Sequence, residues 1–305
     1  MATATTERAL LLVGHGTISD PSDVPEFLLR IRRGRPPSAE LVQEIRRRYD
    51  YIGGSPLLRV TESLAHALEG ELGLPVRVAM RFWKPLIEEV VRELIEERVH
   101  ELCILPVAPF SVHIYVAAVS DALAEMASRA DGAASPPIIS AVPAYGEDAS
   151  LVSAHAMRIA PFLKSRVPET TALVFSAHSL PVCAIAAGDP YQRDFEASAR
   201  AIARSLGWPA TIAYQSQGDG GGAWLGPTVA DVLADALQSG KRDVVIAPIG
   251  FLADHVETLF DLDIEAKGVA DSLGVGFTRV PALNDSPSLV RSLSEIARRA
   301  FGTNR

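Results

Sequence analysis

Eight short apolar runs, separated by longer stretches of which several have helical period, constrain the fold of this chain more than any other feature. The runs are Ala9–Val13, Val76–Met80, Leu102–Val107, Ile138–Val142, Ala172–Phe175, Thr211–Tyr214, Val244–Ala247 and Gly276–Val280. Each is continuous rather than alternating and is bounded by Gly, Pro or polar residues, as strands buried on both faces are. Amphipathic segments lie between them, among them Ser38–Tyr51, Val60–Leu72, Pro85–Glu97 and Pro190–Leu206. Parallel strands need long crossovers and helices supply them, so the pattern predicts βαβ units in a doubly wound α/β fold.

The order of motifs repeats. LLLVGHGT at 10–17 resembles LVFSAHSL at 173–180, an apolar strand followed by a histidine and a small residue. His113 stands seven positions after Pro106, and His255 seven positions after Pro248. The repeat divides the chain into two Rossmann-like domains, 1–145 and 146–283, each with a four-stranded parallel sheet flanked by helices. A closing helix, Ser286–Phe301 within 284–305, is expected to pack back on the first domain.

Open parallel sheets collect ligands beyond the carboxyl ends of their strands. His15, His113, His178 and His255 all follow strands at that edge, and two domains facing each other would bring them to one cleft. His66 and His155 fall in helical segments and His100 precedes a strand, so these three are expected at the surface or in packing.

Composition narrows the function. With 29 basic and 37 acidic residues the net charge is −8, which argues against a nucleic-acid partner. Cys103 and Cys183 are the only cysteines, too few for an iron–sulfur cluster or a disulfide framework. Residues 1–8 lack the apolar stretch of a secretory signal and no run is long enough to span a bilayer, so the expectation is a cytoplasmic protein without a transmembrane segment.

Two stretches carry chemistry. His178 in SAHSLP can bind a metal or accept a proton near neutral pH. In HVETLFDLDIE, Glu257, Asp261 and Glu265 recur every four residues and would form one acidic stripe on a helix. Such a ladder of hard oxygen ligands, beginning two residues after His255, suits delivery of a divalent ion such as Fe²⁺. The cluster Arg30, Arg32, Arg33 and Arg35, placed on a loop, can hold carboxylates in bidentate fashion. In IGGSPL, Gly53 and Gly54 permit a tight turn that leaves Ser55 free to donate. Phe82, Trp83, Tyr115 and Trp224 follow strands or stand in loops, where a flat ligand would meet them.

The chain resembles the ferrochelatases from LLVGHGT to LNDSP (283–287). IGGSPL, SAHSLP, GDPY (188–191), QS…WLGP (215–227) and GFLADHVETLFDLDIE (250–265) match in the right order. The resemblance implies a chelatase-type fold, insertion of Fe²⁺ into a porphyrin in haem biosynthesis, and no permanently bound cofactor, iron being a substrate. His178 and Glu257 would be the catalytic pair that binds metal and takes up the pyrrole protons, with Asp261 and Glu265 as the outer metal ladder. Arg32, Arg33, Ser55, Tyr115 and Trp224 match positions that line the porphyrin or hold its propionates, and His15, Arg81 and His255 complete the substrate-binding set. RRGR at 32–35 and the short segment after it look closer to the compact type, which uses coproporphyrin III, than to the mitochondrial type. Where the compact type often has a tyrosine after the first strand, this chain has His15, a setting similar to that of the small cobalt chelatases. A cobalt chelatase of sirohaem or corrin synthesis is therefore one alternative, and a non-catalytic haem-binding protein another. A monomer, in transient contact with other haem-pathway enzymes, is the expected state.

Overall fold

A computed structural model describes residues 7–129, 135–218 and 221–302. The start of the N-terminal segment read for a signal, residues 219–220 of the Gly-rich loop and the last three residues of the closing segment lie outside that description. The chain divides into two compact units, Met1–Tyr145 with Asp285–Arg305, and Gly146–Asn284.

The first unit runs β1 (Arg8–Gly14), α1 (Val24–Ile31), α2 (Ala39–Ile52), α3 (Leu57–Leu72), β2 (Val76–Met80), α4 (Ile87–Glu96), β3 (Glu101–Pro106), α5 (Val112–Arg129) and β4 (Ile138–Ala141). The second runs α6 (Ala149–Leu163), β5 (Thr171–His178), α7 (Val182–Ala186), α8 (Tyr191–Leu206), β6 (Ala210–Gln215), α9 (Val229–Gln238), β7 (Asp243–Ala247), α10 (Val256–Leu259), a π-turn (Asp261–Ala266), α11 (Lys267–Leu273) and β8 (Gly276–Arg279). The last helix, α12 (Pro287–Gly302), packs against α3 in the first unit.

Both sheets are four-stranded and parallel, in the orders β2-β1-β3-β4 and β6-β5-β7-β8. Leu10, Leu11 and Leu12 of β1 and Val245 and Ile246 of β7 are fully buried, which explains why these strands read as continuous apolar runs. In each unit the second strand pairs on one side of the first, and the chain then crosses to the other side. The point of reversal lies between β1 and β3, and between β5 and β7, so a crevice opens at the carboxyl ends of those pairs.

Three sequence expectations need correction. β5 does not stop at Phe175: Ser176, Ala177 and His178 stay extended by pairing with Ala213, Tyr214 and Gln215, so His178 ends the strand rather than following it. Arg30 is not on a loop but in the last turn of α1, ion-paired to Glu26 one turn back, while Arg32, Arg33 and Arg35 follow the helix. The 255–265 stretch is helical but not α throughout. The Glu265 amide donates to the Phe260 carbonyl, five residues back, so the helix widens and the four-residue spacing no longer defines one face. Asp261 is buried and Glu265 exposed as a result.

Candidate functional site

In the second unit, His178 ends β5 at the reversal point, and the loop after β7 folds over to meet it. Glycine makes that approach possible. The Gly250 amide donates to the Ser176 carbonyl at 3.0 Å, and a Cβ at Gly250 would lie 2.5 Å from the Ala177 Cβ. The chain then passes through His255, the N-cap of α10, and presents Glu257 in the first helical turn. His178 Nδ1 and Glu257 Oε2 stand 2.8 Å apart. A carboxylate can only accept, so Nδ1 carries the proton and Nε2 keeps its lone pair in the neutral ring. The two side chains are 35% and 27% exposed, open enough for an incoming ligand to reach them.

The surroundings favour positive charge. Burial lowers the His178 pKa, but the charge of Glu257, its hydrogen bond and the charge of Asp261 outweigh this and raise it above the ordinary imidazole value. His255 moves the other way: burial dominates and lowers its pKa, although Glu257, Asp254 and the Ala253 carbonyl partly oppose the shift. Its Nδ1 lies 3.2 Å from that carbonyl, and its ring packs on Phe251 with centroids 4.7 Å apart. The two histidines are thus shifted in opposite directions, His178 upward and His255 downward.

The shell around His178 is hydrogen-bonded from several elements. The Tyr191 hydroxyl donates to the His178 carbonyl at 3.0 Å, and Gln215 Nε2 donates to the Glu257 carbonyl at 2.6 Å. Ser216, held at φ 58°, donates its hydroxyl to Asp261. A non-glycine residue in that conformation carries strain, which the bond to a buried carboxylate offsets. The backbone of Pro181, three residues beyond His178, bridges that of Trp224, whose indole lies over Gly218. Sequence alone gives Tyr191, Gln215 and Ser216 no role; the motifs GDPY and QS that contain them carry only the family resemblance.

The first unit gathers a different set at its own reversal point. The His15 ring packs on Phe82 at 4.8 Å, and the Arg81 guanidinium lies 4.8 Å from the same ring centroid. Gly16, at φ 101°, allows this turn to touch the Trp83 backbone. Arg32 and Arg33 are exposed just after α1, Ser55 is half-buried in the α2–α3 turn, and His113 is exposed at the start of α5. Tyr115 points into the core with Val119 and Leu123, so its ring is packing in this conformation. Gly53 and Gly54 adopt φ 71° and 90°, as the tight turn requires. Among the remaining histidines, His66 and His100 are exposed and His155 is buried. Both cysteines are free, and burial pushes the Cys103 thiol up to about 12.

Among the described residues, no three His, Cys, Asp or Glu side chains converge tightly enough to hold a metal ion. His178 and Glu257 are instead an imidazole–carboxylate pair with Asp261 close behind, and Glu265 lies further out on the surface.

Two parallel four-stranded units, with an acidic imidazole site at the reversal point of the second, define a chelatase-type α/β protein. The fold is similar to that of SirB from Bacillus subtilis, determined with Fe³⁺, at TM-score 0.61 and 15% identity over 98% of this chain and 97% of that one. The ferrochelatase family model matches residues 7–301. A ferrochelatase of Acidobacterium capsulatum is 37% identical over 95% of this chain and 93% of its own length, and a coproporphyrin III ferrochelatase of Bacillus subtilis strain 168 is 31% identical over 96% and 97%. The chain belongs to the ferrochelatase family, and it is a metal-inserting lyase of haem biosynthesis. Among the described residues no helix is long and apolar enough to cross a membrane.

Proposed function

We propose that this enzyme inserts Fe²⁺ into coproporphyrin III, with His178 and Glu257 as the catalytic pair. The observation that carries this reading is the 2.8 Å contact that fixes Nδ1 and leaves Nε2 as the only basic nitrogen of the ring. Metal insertion exchanges two pyrrole protons for one Fe²⁺. His178 Nε2 accepts one pyrrole proton, the resulting imidazolium gives its Nδ1 proton to Glu257, which releases it to solvent, and the restored neutral ring takes up the second pyrrole proton in the same way. Asp261 and Glu265 form the acidic side from which the hydrated cation arrives, since hard oxygen donors suit a divalent ion that must still be released to the ring. His15, Arg32, Arg33, Ser55, Arg81, Tyr115, Trp224 and His255 contact the macrocycle or its carboxylates. Tyr115 joins this set only by turning out of the core.

Coproporphyrin III is favoured because relatives bearing that name match over nearly their whole length and because Arg32, Arg33 and Arg35 supply cations for a tetracarboxylate. Iron enters as substrate, no cofactor is held permanently, and the protein works in the cytoplasm as a monomer. The deciding experiment offers coproporphyrin III, protoporphyrin IX and sirohydrochlorin, each with Fe²⁺ or Co²⁺, to the purified protein. Fastest turnover of coproporphyrin III with Fe²⁺ is expected. Preference for sirohydrochlorin with Co²⁺ would instead make it a cobalt chelatase.

A further inference from the structure

Behind the Glu257–Asp261 edge lies an ion network that the reaction as described does not use. Arg279, the last residue of β8, donates from Nε and Nη2 to the two oxygens of Asp263 at 2.7 and 2.8 Å, and from Nη1 to Asp254 Oδ1 at 2.7 Å. The Arg279 and Asp254 side chains are each only 11% exposed. Asp254 is itself fully engaged. Thr258 Oγ1 donates to Oδ1 at 3.0 Å, and Asn284 Nδ2 donates to Oδ2 at 2.8 Å while its Oδ1 accepts from the Asp254 amide at 2.8 Å. Asn284 takes φ 54° to do so.

The positions of these partners in the chain matter. Asp254 immediately precedes the segment that carries Glu257, and Asp263 lies inside the π-turn between Asp261 and Glu265. One rigid guanidinium therefore ties the residue just before this segment to the middle of the π-turn. A π-turn is intrinsically less favourable than α-helix, so something outside it must hold it open, and a bidentate arginine fork has the fixed geometry to do that.

We propose that Arg279 is a positioning residue: by clamping Asp254 and Asp263 it holds the π-turn open and sets where Glu257 and Asp261 present their carboxylates to the incoming metal. The proposal rests on the reading of those carboxylates as the metal side of the site. It separates metal capture from porphyrin capture, because Arg279 bonds Asp254 and Asp263, neither of which is placed on the macrocycle.

The test uses the full chain with Asp263→Asn, which keeps shape and loses charge, and Arg279→Lys, which keeps charge and loses the fork. Ile159→Ala, fully buried on α6 and outside the core cluster that holds Leu262 and Ala266, serves as a control for destabilisation alone. Insertion kinetics at varied Fe²⁺ and varied porphyrin are combined with amide exchange over 261–266. The expected result is a KM for Fe²⁺ raised about tenfold in both clamp variants, a porphyrin KM within about twofold of the parent, and faster exchange in the π-turn; Ile159→Ala should change neither KM. Equal rises in both KM values, or metal and exchange behaviour indistinguishable from Ile159→Ala, would overturn the proposal. If the parent protein inserts no metal at all, the functional reading fails instead. The exchange data then still decide whether the clamp holds the turn: unchanged exchange in both clamp variants overturns it.

Discussion

Gly250→Ala perturbs the site without touching any group that reacts. The new methyl would sit 2.5 Å from the Ala177 Cβ and 2.6 Å from its Cα, about 0.9 Å short of the 3.4 Å at which ordinary contact begins. Neither atom belongs to a flexible side-chain end, so backbone must move. Either β5 shifts next to His178, or the β7–α10 loop retreats and carries Glu257 with it, breaking the 3.0 Å bond from the Gly250 amide to the Ser176 carbonyl. Overpacking of this kind costs about 1–3 kcal/mol, which corresponds to a fall in thermal midpoint of roughly 2–10 °C for a unit of this size. A displacement near 0.9 Å is a large fraction of the 2.8 Å that separates Nδ1 from Oε2. Misplacement by about 1 Å can cost on the order of 10²-fold in rate. Thermal unfolding and steady-state insertion, measured on the same preparation, therefore should both fall. Full activity at an unchanged midpoint would show that the close approach does not position the pair.

Other expectations follow from the same geometry. Because Glu257 raises the His178 pKa and proton uptake needs the neutral ring, insertion should rise with pH through that raised value. Glu257→Gln should move this acid limb to lower pH while reducing the maximal rate by about 10²-fold, and pH–rate profiles of both proteins check it. The stabilisation from the His178–Glu257 pair has the opposite dependence: it is fully present below the unfolded imidazole pKa and lost as pH rises through the raised folded value. His155 is buried and its pKa is lowered to about 3, so the unfolded chain binds the extra proton. Stability should fall as pH drops below the ordinary 6.5, by about 2 kcal/mol at pH 5, and His155→Leu should flatten that limb of a urea titration. Tyr191→Phe removes the donor to the His178 carbonyl and should cost about 0.5–1.5 kcal/mol with a several-fold loss of rate, visible in the same two assays.

Much of the architecture was legible because parallel strands buried on both faces leave short, continuous apolar runs flanked by Gly, Pro or polar residues. Val76–Met80 matches its strand end for end. The polar end of β5 was not legible, since SAH looks like loop until β6 pairs with it through Gln215. His178 stands out as a histidine after a strand and Glu257 as the first carboxylate of an acidic helical stripe, and the structure brings the two together. The π-turn had no local signal, because it depends on Arg279 reaching across from β8, sixteen residues beyond Asp263. The buried setting of Tyr115 was hidden for a related reason: its position after β3 suggests a ligand contact, whereas its direction is set by packing against Val119 and Leu123. Ser216 shows the same limit, because its strained backbone makes sense only once Asp261 lies beneath it.

The most direct test of the account is the rate of iron insertion by His178→Ala, measured beside porphyrin binding followed by absorbance. Insertion should be lost by at least about 10²-fold while porphyrin affinity stays within a few-fold, since the imidazole supplies the basic nitrogen rather than the binding surface. Turnover close to that of the unaltered protein would contradict it, and would move the chemistry away from the end of β5.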